Sequence, residues 1–393
     1  MRFAFLFVIA LTATAVAQSP ATTTVEKSER DAAVEALAAK LGAGYVLPDV
    51  SGRVVQALRQ ANSAGEYDAK APKEFVDAVN RTLVNASHDK HLAVFYQPVL
   101  SVPQGTPSPS VERRERLNFG FGKLERLRGN VGYLELVNFS DLRQQSAETA
   151  SALLSTLANF DAIILDLRRN SGGNTPMVAF IATYFFDTTR VHLTDSYWRD
   201  TNETSQFWTT TFVPGRRSAR QPLYILTSSS TFSAAEDFCY SLQNLKRALV
   251  VGETTGGGAH SSRGPQRLTQ SFTAIIPVGR SISPITKTNW EGTGVTPDIK
   301  TSADASLSVA HLHALRSILE KETDPQWKQI VQQLADDLAK SVSVPAPQRQ
   351  FHRAQAGLRR PIGRADLDGD GPIAMTVHRT RARHAAPRSF CGG

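Results

Sequence analysis

Three short stretches of this 393-residue chain carry residue types and spacings suited to chemistry. The first is SSSTFSAAEDFCYSL (228–242), where Ser233 follows the apolar run QPLYILT and precedes Phe238, Leu242 and Leu245 at near-helical spacing. On local sequence Ser233-Ala-Ala-Glu236 fits a capping box, its hydroxyl and glutamate serving the orphan amides of a first helical turn. A serine at a helix head is also where a nucleophile gains most from the helix dipole. The second stretch, Arg168-Arg169-Asn170-Ser171-Gly172-Gly173-Asn174, follows DAIILDL. Its paired glycines permit a tight turn and leave backbone amides free at a helix start, where they can face a developing oxyanion. The third, Thr254-Thr255-Gly256-Gly257-Gly258-Ala259-His260, follows ALVVGE. No Lys-Ser/Thr follows it at phosphate-loop spacing, and Gly120-Phe121-Gly122 is an isolated fragment of a dinucleotide fingerprint, so nucleotide binding is not expected.

The histidines divide by context. His88 and His91 flank Asp89 at the end of a helical stretch; three residues apart they could share a metal, but no third ligand is visible. His311 and His313 face different sides of a C-terminal helix and read as solvated or packed. With no HExxH or cysteine-rich zinc pattern, no metal and no cofactor are expected. Asp366-Leu367-Asp368-Gly369-Asp370-Gly371 starts like a calcium loop, but its twelfth position is Val377 and not an acid. Cys239 and Cys391 are too few to be a disulfide framework, and Cys239, on an apolar face, reads as buried filler.

The elements that must position these residues are legible in outline. Residues 1–17, MRFAFLFVIALTATAVA, have an early Arg2, an apolar run and an Ala15-Val16-Ala17 ending, the pattern of a secretory signal cleaved before Gln18. This predicts export to the periplasm or the exterior, with no later stretch apolar enough to span a bilayer. Residues 18–101 read as a small helical domain: EKSERDAAVEALAAKL, PDVSGRVVQALRQANSAG and PKEFVDAVNRTLVNAS are separated by Gly and Pro. Residues 102–128 read as linker and domain entry, opening on VPQGTPSPS. Residues 129–304 read as an α/β core: GNVGYLELVNF, DAIILDL, PLYILT and ALVVGE are apolar on both faces, as strands covered by helices must be. TPMVAFIATYFF and SAAEDFCYSLQNL lie between them as helices. Residues 305–340 return to helical periodicity, and 341–393 form a basic tail that reads as disordered. That tail holds nine Arg, no Lys and three Asp, and so carries +6 of the net +8. The body is nearly neutral, which argues against a nucleic-acid partner.

Taken in order, Asp166-Leu167-Arg168-x-Asn170-x-Gly172-Gly173, Ser233-Ala234-Ala235-Glu236, Val250-Val251-Gly252-Glu253-Thr254-Thr255-Gly256 and Trp290-Glu291-Gly292-x-Gly294-Val295-x-Pro297-Asp298 resemble the C-terminal-processing (tail-specific) serine peptidase family. The likeness spans about 130 to 300 and is strongest to the branch of the tricorn protease core and the interphotoreceptor retinoid-binding protein modules. It implies a crotonase-like α/β core, with Ser233 as nucleophile and the amides of Ala234 and of Gly172 or Gly173 as oxyanion donors. Members of the bacterial type use a lysine about 25 residues after the serine, and that position here is Gly258. The tricorn-type arrangement instead implies a histidine base in a motif similar to Asp89-Lys90-His91 and a glutamate in one similar to Trp290-Glu291-Gly292. No PDZ module is recognisable between 92 and 130.

Two functions from different classes follow. One is an exported serine peptidase acting on peptide or protein substrates, with His91 as base, Glu291 orienting it, and His260 as the alternative base. The other is a non-catalytic carrier of apolar ligands, as in the retinoid-binding relatives. The presence of all three catalytic candidates favours the enzyme.

Overall fold

The computed structural model describes residues 24–98 and 111–342. The expected signal segment, the Pro/Ser/Gly-rich link VPQGTPSPS, and the basic tail from 343 with its Asp366–Asp370 run and Cys391 lie outside the described residues.

The centre is a six-stranded sheet. In spatial order its strands are β13 (Ile299–Lys300), β8 (Leu249–Gly252), β7 (Leu223–Thr227), β4 (Ala162–Asp166), β3 (Val131–Leu136) and β2 (Phe121–Leu127). All neighbours pair in parallel except β2 with β3. The apolar runs are continuous because both faces are covered. On β4, Ile163 and Leu165 enter one core with α5 (Gln144–Leu157), α6 (Thr175–Thr183) and α7 (Ala234–Asn244). Ala162 and Ile164 enter the opposite core, with α8 (Ala303–Leu319) and α9 (Pro325–Ala339). On β7, Leu223 and Ile225 divide from Tyr224 and Leu226 in the same way. The expected strands and helices of residues 129–304 and 305–340 are all present.

Three differences have physical causes. Strand β2 and the short helix α4 (Val111–Arg116) lie within the stretch read as linker; the FGKLERL pattern of β2 is charged because it is an edge strand. Helix α5 was not expected, since SAETASALLSTL is rich in Ser and Thr and its apolar stripe is thin. Strands β5 (His192–Trp198) and β6 (Glu203–Trp208), too polar to read as core, form an antiparallel sheet with β12 (Gly279–Ile282) and β9 (His260–Ser261) in the order β6-β5-β12-β9.

The N-terminal helices α1 (Lys27–Gly44), α2 (Pro48–Ser63) and α3 (Pro72–Ser87) do not stand apart from the rest. They share one apolar cluster with Phe272, Ala274, Ile276 and Val278 of the core chain. After α3, β1 (Ala93–Tyr96) pairs antiparallel with β11 (Phe272–Ile275), which also pairs with β10 (Pro265–Arg267). The turn between α3 and β1 holds Asp89 and His91, so this pairing carries both residues onto the α/β body.

Candidate active site

The loops that follow β4, β7 and β8 leave from the carboxyl ends of adjacent parallel strands, where open α/β sheets gather ligands. They are the three stretches singled out in the sequence. Hydrogen bonds between them fix their order: Thr231 Oγ1 donates to the Leu167 carbonyl (2.8 Å), the Phe232 amide to the Asn170 carbonyl (3.0 Å) and the Gly256 amide to the Thr231 carbonyl (2.9 Å).

Ser233 is the N-cap of α7, with φ 56° and ψ −123°. That is a left-handed, glycine-like conformation, and a serine held there is strained. Its side chain accepts no bond from the first turn. Only the glutamate half of the capping box forms, with the Ser233 amide donating to Glu236 Oε2 (2.9 Å). Glu236 is fully buried and also accepts from Thr255 Oγ1 (2.5 Å), the Gly257 amide (2.6 Å) and the Gly258 amide (2.8 Å). Burial raises its carboxyl above the usual range, against the pull of these donors. The residue read as a cap therefore fastens the triple-glycine loop to the head of α7.

Of the expected oxyanion donors, the Gly172 amide is already bonded to Asn170 Oδ1 (2.8 Å). The sequence left Gly172 and Gly173 as alternatives, and this bond removes Gly172. Among the described residues, neither the Gly173 nor the Ala234 amide donates to a protein acceptor. Both residues line a cavity of about 40 Å³ with Ser233. The loop must be glycine here: a Cβ on Gly172 (φ 111°) would stand 2.7 Å from Ser233 Cβ, and one on Gly173 (φ 138°) would strike the Phe139 carbonyl.

His91 stacks on Phe232, ring centroids 4.5 Å apart and planes 29° from parallel. Burial pushes its imidazole below the ordinary 6.5, so it is neutral near neutral pH. Its Nδ1 is buried without a partner, as is Glu291 Oε1. Glu291 Oε2 accepts from the Ala259 (2.5 Å) and His260 (3.1 Å) amides, and burial raises this carboxyl too. A Cβ at Gly258 would meet the Phe232 ring and stand 2.6 Å from His91 Cε1.

His260 lines the cavity with Ser233, while its Nδ1 lies 2.8 Å from Asp89 Oδ2 and 3.7 Å from Glu291 Oε2. Asp89, 1% exposed, accepts from the Tyr45 hydroxyl (2.9 Å) and the His91 amide (2.8 Å) as well. Burial works to raise this carboxyl, but the bonds from His260, His91 and Tyr45 outweigh it and hold Asp89 below the usual range. Asp89, His260 and Glu291 bring one ligand atom each within 4.8 Å of one another. Asp89 is bonded to His260, Tyr45 and the His91 amide, and Glu291 Oε2 to the Ala259 and His260 amides, so the atoms that face one another are already engaged within the protein. Among the described residues no hydrogen bond joins Ser233 Oγ to either ring. His88 is the left-handed C-cap of α3, and His311 Nε2 lies 2.8 Å from the Arg128 carbonyl.

The sequence placed Asp89 beside His91 without giving it a role, and missed Tyr45 and Asp237. Asp237 is 2% exposed and lines the Ser233 cavity, and burial pushes its carboxyl up to about 7. The one available signal was an acid at a helical position whose neighbours one turn on, Ser241 and Leu242, lie on the buried face.

A serine heading a helix, beside two unbonded amides at the carboxyl edge of a parallel sheet, defines an α/β domain of the kind that carries acyl-transfer sites. Residues 130–301, less than half of the chain, match Peptidase family S41. Over 172 residues it is 31% identical to the chloroplastic carboxyl-terminal-processing peptidase 2 of Arabidopsis thaliana, covering 43% of this chain and 31% of that protein. Over 184 residues it is 26% identical to the carboxy-terminal-processing protease of Bartonella bacilliformis, covering 44% of this chain and 39% of that protein. The match thus spans 31% and 39% of the length of these two relatives. A solved structure from Parabacteroides merdae, assigned as a peptidase, shares the fold at 16% identity with a TM-score of 0.50, over 80% of this chain and 99% of that one. Among the described residues no helix is long and apolar enough to cross a membrane.

Proposed function

We propose that the chain is an exported serine peptidase that hydrolyses peptide bonds in peptide or protein substrates on a crotonase-like core. The observation that carries this reading is the strained Ser233, whose hydroxyl is not spent on capping and which lines one cavity with Gly173 and Ala234, whose amides are unbonded. Ser233 Oγ attacks the substrate carbonyl carbon, and the oxygen takes up negative charge against those two amides at the positive end of α7. His91 receives the serine proton on Nε2 and delivers it to the leaving amine; a water then releases the acyl group by the same path. Glu291 orients the ring through Nδ1, a pairing supported by one buried donor and one buried acceptor that lack partners beside the same glycine loop. A small closing movement brings His91 onto Ser233 when substrate binds.

His260 is the second choice of base. It borders the Ser233 cavity, and its Nδ1 contact with Asp89 is the kind that orients a base while leaving Nε2 for the proton; His91 is preferred on its motif and on its unpartnered Nδ1. The carrier reading fits less well, because the space beside Ser233 is small and lined mostly by polar side chains. Export rests on residues 1–17, with Gln18 as the expected mature N-terminus on terminal sequencing. Labelling by a fluorophosphonate, lost in Ser233→Ala, tests the nucleophile; an unlabelled native chain would remove the peptidase reading.

A further inference from the structure

The cavity at the head of α7 continues past the oxyanion amides. Beyond Gly173, Ser233 and Ala234 it is walled by Asp237, Ser261, Ser281, His260 and the flat of Trp290. Four of these, Asp237, His260, Ser281 and Trp290, are each under a tenth exposed. Its volume of about 40 Å³ has room for roughly three water-sized groups, at about 10–15 Å³ for each. A carbonyl whose oxygen rests on the Gly173 and Ala234 amides has its own α-carbon one bond away. The space that adjoins the two amides and Ser233 is thus within reach of the side chain on that carbon. A larger hollow of about 590 Å³, lined by Phe119, Phe139 and Arg114, shares only Gly173 with this site and is left for residues farther along the substrate.

Resting on the peptidase reading above, we propose that this cavity receives the side chain of the residue whose carbonyl is attacked, and that it selects a small hydroxyl-bearing residue, serine or threonine. Size sets one limit. With the carbonyl oxygen on the two amides taking one of the roughly three water-sized positions, serine fits, threonine is at the limit, and leucine, lysine and the aromatics exceed the space; Trp290 is held in place by its Nε1 bond to the Gly258 carbonyl (2.8 Å). Polarity sets the other. The Asp237 carboxyl receives a long bond from Ser241 Oγ (3.3 Å) and a further one from Thr194, which leaves part of the acceptor capacity of its two oxygens for a hydroxyl entering from the cavity. Burial pushes that carboxyl up to about 7, so near neutral pH it is present in part as a neutral acid that can donate as well as accept. A site built to hydrogen-bond a substrate hydroxyl discriminates strongly against the isostere lacking it, because its own buried polar groups are then left unpaired.

The test uses otherwise identical peptides with threonine, valine, serine, alanine or leucine before the scissile bond, with products located by mass spectrometry, and fluorophosphonate labelling run alongside. Threonine should exceed its isostere valine at least tenfold in kcat/KM, serine should exceed alanine, and leucine should be the poorest. Asp237→Ala should flatten the threonine-to-valine ratio while Ser233 still labels. Should that variant not fold, Ser281→Ala should narrow the same ratio. Valine or leucine cleaved as well as threonine by a chain that labels normally would overturn the subsite alone. A native chain that fails to label would strike the peptidase reading itself, and the subsite would fall with it.

Discussion

His91 and Gly258 share one space: a Cβ at residue 258 would stand 2.6 Å from His91 Cε1. Where bacterial-type relatives are expected to place a lysine side chain on the loop after β8, this chain places an imidazole brought from the turn before β1, and the loop is bare to admit it. Gly258 does not have a positive φ, so the constraint is steric and not one of backbone strain.

Gly258→Ala should therefore displace His91 and Phe232. We expect a destabilisation of about 1–3 kcal/mol, as for overpacked cores, and a fall in peptidase turnover of at least tenfold. Turnover unchanged in a normally folded variant would show that His91 is not the base.

His91→Ala should lower kcat/KM by a factor of about 100 to 10,000 with Ser233 still present for labelling. Because burial holds this imidazole below 6.5, the acid limb of the pH–rate profile should lie below that value and the rate should be flat through neutrality. Loss of activity in His260→Ala with near-normal rates in His91→Ala would transfer the role to His260.

Asp89→Ala should cost about 3–5 kcal/mol, since it leaves the His260 ring and the Tyr45 hydroxyl without their buried acceptor. Tyr45→Phe removes one bond and should cost about 1 kcal/mol. Denaturant unfolding of the two variants reads this ordering, and equal costs would contradict it.

Asp237 should make stability fall as pH rises. Its folded carboxyl titrates at about 7, against an ordinary 3.8, so the folded chain holds a proton that the unfolded chain has lost across that interval. The penalty is absent below about pH 4, grows between 4 and 7, and is complete above 7, where it amounts to on the order of 4 kcal/mol. Asp237→Asn should melt higher than the native chain at pH 8, and the gain should vanish toward pH 4. A gain independent of pH would mean that the carboxyl is not buried as described.

What the sequence disclosed and what it hid follow from distance along the chain. Strands β4, β7 and β8 and helix α7 were legible because burial on both faces leaves an unbroken apolar run and a helix leaves its period. Ser233, His91 and Glu291 were marked by motifs. Asp89 stood in the His91 motif without a role of its own and Asp237 in none, because their roles arise from partners such as Tyr45, His260 and Thr194 that lie far off in sequence. Nor did local pattern reveal that α1–α3 need Phe272 and Ile276 to complete their core, or that Asn170 claims the Gly172 amide.

The backbone at Ser233 sits where only glycine rests at ease, and holding a serine there costs on the order of 1–3 kcal/mol. Ser233→Gly should accordingly unfold at higher denaturant than the native chain while losing every trace of nucleophilic reactivity. Stability and reactivity pull this one position in opposite directions. A search that rewarded only thermal resistance would discard the hydroxyl among its first improvements.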